Sequence, residues 1–425
     1  MASSTQPTPV QSTRFLKLLI FLMFASFAMT TDSVGTIIPE VIRDYKLGMT
    51  AAGSFHYASM SGIGLAAILL GFLADRFGHK ATILLGLGLF CATCALFAVG
   101  NSFGIFVLLL FVSGLGIGIF KAGALALIGD ISHSTHEHAS NMNLVEGFFA
   151  IGAVIGPAIV TFSLQNGFSW KMVYLVAAAL CLMLVVGTLF APFPKHRPKA
   201  IDEKPADMRD ALRLLSDPFA LFFAVALMLY VGAEAAIYVW APTYFADYTG
   251  NYVWLAAYLV SIFFILRAVG RFFGAWLLSK LNWTVVVAIC STAMALLFWV
   301  GVAGGRDVAV FALPATGIFM SVLYPTMNST GISCFDKSRH GSIAGFLLFF
   351  TCIGAVIAPL AMGAVGDMLG NSDYSMILGS LFATLLAILC LWNVARQPIA
   401  KKLAERNAED YGSIDPADVN VRPIS

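Results

Sequence analysis

The sequence predicts an all-α polytopic membrane protein with twelve transmembrane helices, arranged as two pseudo-symmetric halves of six helices each. Of its 425 residues, 59% are hydrophobic and only 11% are charged, and the mean hydropathy is +0.86. A soluble globular protein carries roughly 25% charged residues, so this chain could not cover a water-exposed surface. This composition excludes a soluble enzyme, a nucleic-acid-binding protein and a disordered protein. Long apolar stretches and an internal repeat complete the prediction.

Twelve stretches are apolar over the length of about 20 residues that a helix needs to cross a bilayer. The first contains Ala25-Ser26-Phe27-Ala28, which is similar to a signal-peptidase site. Its apolar run continues to Ile38 and is too long for a signal peptide, so we expect an uncleaved helix. We number the predicted helices 1 to 12, at 15–39, 51–74, 80–100, 104–130, 140–163, 170–192, 218–247, 252–280, 283–303, 306–333, 340–366 and 374–395.

The distribution of basic residues predicts the orientation. If both termini are cytoplasmic, 18 of the 25 lysines and arginines lie on the cytoplasmic side and four on the external side, while three lie within helices. Cytoplasmic connections are enriched in these residues, so we expect both termini in the cytoplasm. This pattern, together with an uncleaved first helix, suits a bacterial inner membrane.

The predicted domains follow from the charged segments. Residues 193–217 are charged and begin proline-rich, which is typical of a cytoplasmic linker. This linker would join a six-helix bundle at 1–192 to a second at 218–395, and the polar residues 396–425 would form a cytoplasmic tail.

The two predicted halves share sequence features. The segment Ile151-Gly-Ala-Val-Ile-Gly-Pro157 of helix 5 recurs 202 residues later in helix 11 as Ile353-Gly-Ala-Val-Ile-Ala-Pro359. Asp32 in helix 1 and Glu234 in helix 7 are also 202 residues apart, and each precedes a proline by seven or eight residues. Transporters built from such repeats bind substrate near the midplane between the repeats and rock the halves around it.

A charged motif lies between helices 2 and 3, with the sequence Gly71-Phe-Leu-Ala-Asp75-Arg76-Phe-Gly78-His79-Lys80. Asp75 can face a helix N-terminus, Gly78 permits a tight turn, and Arg76 and Lys80 stay on the positively charged side. The motif closely resembles the signature loop of the major facilitator superfamily. This resemblance implies the twelve-helix major facilitator fold and a structural or gating role for Gly71, Asp75, Arg76, Gly78 and Lys80.

A narrower resemblance is to the fucose–proton symporter family. It rests on five segments: Gly114-Leu-Gly-Ile-Gly118, Asn143-Leu-Val-Glu-Gly-Phe-Phe149, Gly232-Ala-Glu234 with Pro242-Thr-Tyr244, Gly270-Arg271-Phe272, and Phe319-Met-Ser-Val-Leu-Tyr324-Pro325-Thr326. The resemblance implies a monomeric carrier in the lipid bilayer that is coupled to protons and often takes up sugars. Its expected partners are a small-molecule solute and protons. We expect no cofactor, no metal and no nucleic acid.

Six charged residues stand out because they lie well inside predicted helices, where charges are costly and usually face the bundle interior. In the symporter family an acid at the position of Asp32 lies near the substrate and proton path, so we expect Asp32 to contact sugar or relay a proton. Burial disfavours the ionised form of a carboxylate, so such an acid can exchange a proton near neutral pH. Glu234 is predicted either to couple protons or to form a structural ion pair with Arg267. Arg271 is predicted to be a gate or a helix anchor.

Lys121 in helix 4 departs from the family, which usually has an acid at this point. Glu146 stands where the fucose transporter has an amide, and Phe149 where it has an asparagine. Similar depths along helices 4 and 5 predict a Lys121–Glu146 ion pair, in which Glu146 would carry the proton. The alternative leaves Lys121 free to bind an anionic substrate such as a sugar acid.

Sugars bind through hydrogen bonds to their hydroxyls and through stacking on aromatic faces. Tyr238 in helix 7 and Tyr324 and Asn328 in helix 10 offer both, and Tyr324 matches a tyrosine that lines the site in the fucose transporter. Trp240 stands near the external end of helix 7, where an aromatic belt at the membrane surface is an equally good interpretation.

The sequence thus predicts a secondary active transporter, not an enzyme, that imports a sugar or sugar derivative by proton symport with alternating access. The sequence has no nucleotide-binding motif of the kind that an ATP-driven pump needs. The histidines at 133, 136 and 138 lie in the predicted connection between helices 4 and 5. We expect this connection to be a solvated loop rather than a metal site. Three alternatives stay open: an importer of organic anions or sugar acids that uses Lys121, a proton-coupled exporter of drugs or metabolites, and a membrane receptor or sensor.

Overall fold

The computed structural model describes residues 10–70, 73–132, 135–194, 214–336, 339–399 and 401–403, which are almost entirely helical. Eleven helices in this part of the chain are long and apolar enough to cross a membrane. The second predicted helix is missing from that number because it is interrupted at Gly53 and again after Leu69. Its pieces together cover most of the predicted range, so the twelve-helix fold predicted from the sequence is confirmed.

The helix bounds follow the predicted spans closely, except that helix 1 extends further and several helices are divided. The observed bounds of helices 1 to 12, in order, are Val10–Thr31 with Val34–Tyr45; Met49–Ala52 with Ser54–Leu69, followed by Leu73–Phe77; His79–Leu96; Phe103–Ile131; Thr135–Gln165; Met172–Phe190; Pro218–Ala235 with Ala236–Trp240 and Ala241–Tyr244; Val253–Ala257 with Leu259–Lys280; Trp283–Ala303; Arg306–Ser333; His340–Leu369; and Asp373–Arg396.

Helix 7 shows how local chemistry sets a helix start. The Asp217 carboxylate accepts hydrogen bonds from the backbone N–H groups of Phe219 (2.9 Å) and Ala220 (3.1 Å). These amides have no partner inside the helix, and an N-terminal aspartate satisfies them. Pro218 occupies the first helical position, where its missing N–H costs nothing. Helix 7 therefore begins at the end of the segment predicted to link the two bundles.

The two halves use the same helix pairings. In the first half helix 4 packs against helices 2 and 3, helix 5 against helix 1, and helix 6 against helices 1 and 3. In the second half helix 10 packs against helices 8 and 9, helix 11 against helix 7, and helix 12 against helices 7 and 9. The backbones approach closely at glycines: a Cβ added to Gly114 would lie 2.2 Å from the Ser59 carbonyl oxygen, and one added to Gly317 would lie 2.6 Å from that of Phe263.

The structure describes only part of the charged motif between helices 2 and 3. Gly71, the side chain of Asp75 and most of the predicted linker and tail (195–213 and 404–425) lie outside the described residues. Gly78 has φ +82°, the turn conformation expected for it. The Lys80 ammonium donates to the Leu189 carbonyl at 2.7 Å, and the exposed Arg76 guanidinium lies 5.4 Å from the centre of the Phe77 ring. Lys80 thus ties helix 3 to the end of helix 6.

Among the described residues, the main contacts between the halves are made by three helix pairs: 1 with 7, 2 with 11, and 5 with 8. Their closest contacts lie toward the predicted external side, where helix 2 begins and helix 11 ends. The backbone N–H groups of Met49 and Thr50 donate to the Asp367 carboxylate at 2.6 and 2.8 Å. Nearer the middle, a Cβ added to Gly35 would lie 1.8 Å from the Tyr238 carbonyl oxygen. The structure is therefore closed on the predicted external side.

Candidate functional site

Two helix irregularities occupy equivalent positions in the halves. Helix 1 is interrupted at Asp32 and Ser33, and helix 7 becomes a π-helix over Ala236–Trp240, directly after Glu234 and Ala235. Next to the break in helix 1, the Thr31 and Ser33 hydroxyls each donate to the backbone carbonyl four residues upstream, that of Phe27 and that of Met29. Such side-chain bonds compete with helical geometry. Irregular helices near the midplane mark ligand sites in transporters.

Asp32 lies in the break of helix 1 and is 9% exposed. Its carboxylate is 3.4 Å from the Thr31 hydroxyl, whose one proton can go either to this carboxylate or to the Phe27 carbonyl at 3.1 Å. It makes no ion pair within the described part of the chain. Its charged neighbours are Glu234, Arg267 and Lys121, which lie beyond ion-pair distance from it. Asp32 is thus an acid buried between the halves without a paired cation.

The ion pair predicted between Glu234 and Arg267 is present, and it joins helices 7 and 8 within the second half. Both side chains are largely buried, with 11% of Glu234 and 20% of Arg267 exposed. The neighbouring Tyr230 ring lies 5.8 Å from the Tyr324 ring, and its hydroxyl donates to the Met320 carbonyl at 3.3 Å. The pair therefore sits in a packed environment between helices 7, 8 and 10.

The predicted Lys121–Glu146 ion pair is wrong in this structure. Glu146 instead lies 3.2 Å from the Arg271 guanidinium in helix 8, and both of these side chains are substantially exposed. Helix 5 packs mainly on helices 1 and 8 and only marginally on helix 4, so its residues face those neighbours. Similar depth along two helices does not determine which faces meet.

Lys121 is half-buried and lies against aromatic rings. Its ammonium is 5.6 Å from the centre of the Phe27 ring and 6.0 Å from that of Phe24. The Phe149 ring lies 5.4 Å from the same Phe27 ring. Lys121 makes no ion pair in the described residues, which leaves the anion-binding alternative open.

The structure places the remaining predicted site residues around this centre. Tyr238 is buried, with its ring 5.5 Å from the His56 ring and 6.3 Å from the Phe264 ring. Tyr324 and Asn328, one turn apart on helix 10, are half-buried. Phe27 therefore brings Lys121 and Phe149 together, while Tyr238 and Tyr324 lie on the second half.

A cluster around Pro359 of helix 11 is the main feature that sequence reasoning missed. Proline has no N–H, so the Ala355 carbonyl loses its helical donor. His56 Nε2, on helix 2, is 3.0 Å from that carbonyl and donates to it, since a carbonyl only accepts. The Pro359 carbonyl accepts from Tyr57 (3.1 Å) and Trp240 (2.9 Å). The repeated segment that ends in proline was the available signal.

This cluster also corrects an interpretation of Trp240. Its side chain is fully buried, so it does not belong to an aromatic belt at the membrane surface. The corresponding proline helix of the first half also receives a donor from the opposite half, because the Ser261 hydroxyl donates to the Val154 carbonyl at 2.9 Å. Helices 5 and 11 thus each accept a side-chain hydrogen bond from the opposite half.

A duplicated six-helix fold with buried charges between its halves defines a membrane carrier. Residues 19–359 match the family model of the Major Facilitator Superfamily, and the chain belongs to that superfamily. This confirms the resemblance of the loop motif and establishes a multi-pass membrane transporter rather than an enzyme. Among the described residues no group of three or more histidine, cysteine or acidic side chains could hold a metal ion. His133 and the side chain of His136 lie outside the described residues.

Several proteins named as transporters match this chain over most of its length. A glucose/galactose transporter of Brucella abortus is 23% identical over 369 residues, which are 83% of this chain and 87% of the relative. The L-fucose-proton symporter of Escherichia coli is 25% identical over 393 residues, or 83% and 87% of the two chains. The crystal structure of the nucleoside transporter NupG matches with a TM-score of 0.72 and 17% identity, over 92% of this chain and all of that one. The structural likeness establishes the fold alone.

Proposed function

We propose that this protein imports a sugar or sugar derivative together with protons, by alternating access. The observation that supports this most directly is Asp32, an acid buried in the break of helix 1 that forms no ion pair with any residue the structure describes. The names of the relatives, a glucose/galactose transporter and an L-fucose-proton symporter, support the substrate class and the coupling ion. We further propose that the protein is a monomer, as its resemblance to the fucose–proton symporter family implies. We also propose that it lies in a bacterial inner membrane with both termini in the cytoplasm, on the basis of the distribution of lysine and arginine.

Protonation of Asp32 is the proposed coupling event. A carboxylate between closed halves is costly in its ionised form, and protonation with sugar bound lowers the free energy of the closed, switching state. Glu234 and Glu146 each have an arginine partner already, so we expect Asp32 to accept the proton first and the other two to influence its release.

The same site offers groups that suit a sugar. The hydroxyls of Tyr238 and Tyr324 and the Asn328 amide can hydrogen-bond to sugar hydroxyls, and the Phe149 ring supplies an apolar face. None of these side chains needs to carry charge, which fits a solute whose recognition depends on many neutral hydroxyls.

The test uses purified protein in liposomes loaded with a pH-sensitive dye. A sugar gradient should acidify the lumen of vesicles with the unchanged protein. Asp32→Asn should abolish this acidification and any accumulation of sugar, because an amide cannot bind and release the proton, while the protein stays folded. Asp44→Asn, the same change at an exposed position in helix 1, serves as the matched control and should transport normally.

Accumulation of sugar against a gradient by the Asp32→Asn protein would reject the role of Asp32. Lack of any solute flux with folded protein would favour the receptor or sensor alternative. Proton movement out of vesicles driven by a drug-like solute would favour the exporter.

A further inference from the structure

The six charged residues singled out inside the predicted helices are three acids and three bases, but not all of them are paired. Glu234 pairs with Arg267, and Glu146 with Arg271. The acid and base that remain are Asp32 and Lys121. Neither makes an ion pair in the part of the chain that the structure describes.

Asp32 and Lys121 are connected through Phe27 and Thr31. The Lys121 ammonium lies over the Phe27 ring at 5.6 Å. The Phe27 carbonyl accepts from the Thr31 hydroxyl at 3.1 Å, and that hydroxyl is 3.4 Å from the Asp32 carboxylate. The two charges therefore belong to one site, close enough to influence each other but too far apart to form a pair.

The surroundings of Lys121 leave its charge uncompensated. Aromatic faces attract an ammonium, but they carry no net negative charge. A cation in a membrane core normally has a partner or faces a pathway. The other titratable groups that face this centre are Glu146 and Cys352 toward Lys121, and Glu234, Arg267 and Tyr238 toward Asp32.

The charge of this site depends on what is bound. With Asp32 ionised and no substrate, Asp32 and Lys121 cancel. With Asp32 protonated, one positive charge remains, and a monoanion cancels it. The empty site and the site loaded with both a proton and a monoanion are therefore neutral, whereas loading either one alone leaves a net charge, which is costly in the membrane core.

We propose that Lys121 binds the carboxylate of a monoanionic sugar derivative, a sugar acid, and that this anion and the proton on Asp32 load together in electroneutral symport. The proton comes from water on the entry side to an Asp32 carboxylate oxygen and leaves on the opposite side with the substrate. This inference rests on the proposed function and names the substrate class of the same site.

The test compares hexuronates and aldonates with their neutral parent sugars in the dye-loaded liposomes. Sugar acids should drive acidification beyond the leak seen in protein-free vesicles, and a membrane potential set with potassium and valinomycin should leave the initial rate unchanged. Lys121→Gln should lower uptake of sugar acids at least tenfold. Lys17→Gln, which removes a lysine paired with Glu137 at the far end of helix 1, is the matched control and should stay within twofold of the unchanged protein.

The outcomes separate this inference from the proposed function. Proton uptake with neutral sugars but not with acids, unchanged in Lys121→Gln, would overturn the inference and leave the proposed function standing. No proton movement with either class would overturn the proposed function itself. A rate that follows the membrane potential would overturn electroneutrality. If Lys121→Gln does not fold, thermal stabilisation of the unchanged protein decides: stabilisation by neutral sugars but not by acids overturns the inference.

Discussion

The two intramembrane ion pairs differ in burial, and that difference decides what each contributes. Glu234 and Arg267 are largely buried, whereas roughly half of Glu146 and of Arg271 is exposed. Removing one partner of a buried pair leaves an uncompensated charge and costs about 3–5 kcal/mol. An exposed pair contributes about 0–1 kcal/mol. The first pair should therefore matter for stability and the second should not.

We expect Glu234→Gln to lower the melting temperature of the purified protein by several degrees, because Arg267 then stays buried without its counter-charge. The double variant Glu234→Gln with Arg267→Gln should recover most of the loss. Glu146→Gln is the matched control and should melt within about a degree of the unchanged protein. A Glu234→Gln protein of normal stability that no longer couples protons would instead assign the coupling role to Glu234.

At the scale of elements, helix 2 is attached to the proline kink of helix 11 by side-chain donors. We expect His56→Phe to shift the population toward the state open on the predicted external side. The Ala355 carbonyl then lacks any donor when the halves close, at a cost of about 1–3 kcal/mol. This cost corresponds to a change of about fivefold or more in the ratio of open to closed molecules.

The shift can be measured as a distance between spin labels at position 44, in the last turn of helix 1, and position 246, just beyond the external end of helix 7. Cys91 and Cys352, the two incompletely buried cysteines, are first changed to serine. His340→Phe is the matched control, because His340 Nε2 also lies 3.0 Å from a carbonyl, that of Phe335, but within one half. Equal distances in both variants would show that the His56 contact does not hold the closed state.

Helix number and helix length could be predicted because they depend on hydropathy over long windows, and the repeat because short sequence segments recur in both halves. The break at Asp32 could not, since no glycine or proline marks it. The cluster Thr30-Thr31-Asp32-Ser33 was the local signal, as its hydroxyls compete for helix carbonyls. The partner of Glu146 was missed because depth along a helix carries no information on the direction in which a side chain points.

At the scale of the whole molecule, closure depends on how near helices 1 and 7 can come. A Cβ added to Gly35 would lie 1.8 Å from the Tyr238 carbonyl oxygen, a distance that no side chain tolerates. We expect Gly35→Ala to abolish uptake while substrate binding from the external side survives, because the halves can no longer meet. Gly104→Ala, where a Cβ meets nothing within 4 Å, is the control.

Uptake assays and the same label distances check this expectation. A Gly35→Ala protein that transports at the normal rate would show that helices 1 and 7 need not approach this closely during the cycle.

The contacts between the halves are reciprocal. Helix 2 docks on the proline helix 11, and helix 8, its counterpart, docks on helix 5, the counterpart of helix 11. This is the pattern of an isologous interface, in which two copies related by a two-fold axis contact each other through the same pair of surfaces. A half-length ancestor could therefore have formed the same contacts as a parallel homodimer. Gene fusion would then have preserved the interface and freed each half to diverge, with an acid left unpaired in one copy and neutralised by arginine in the other.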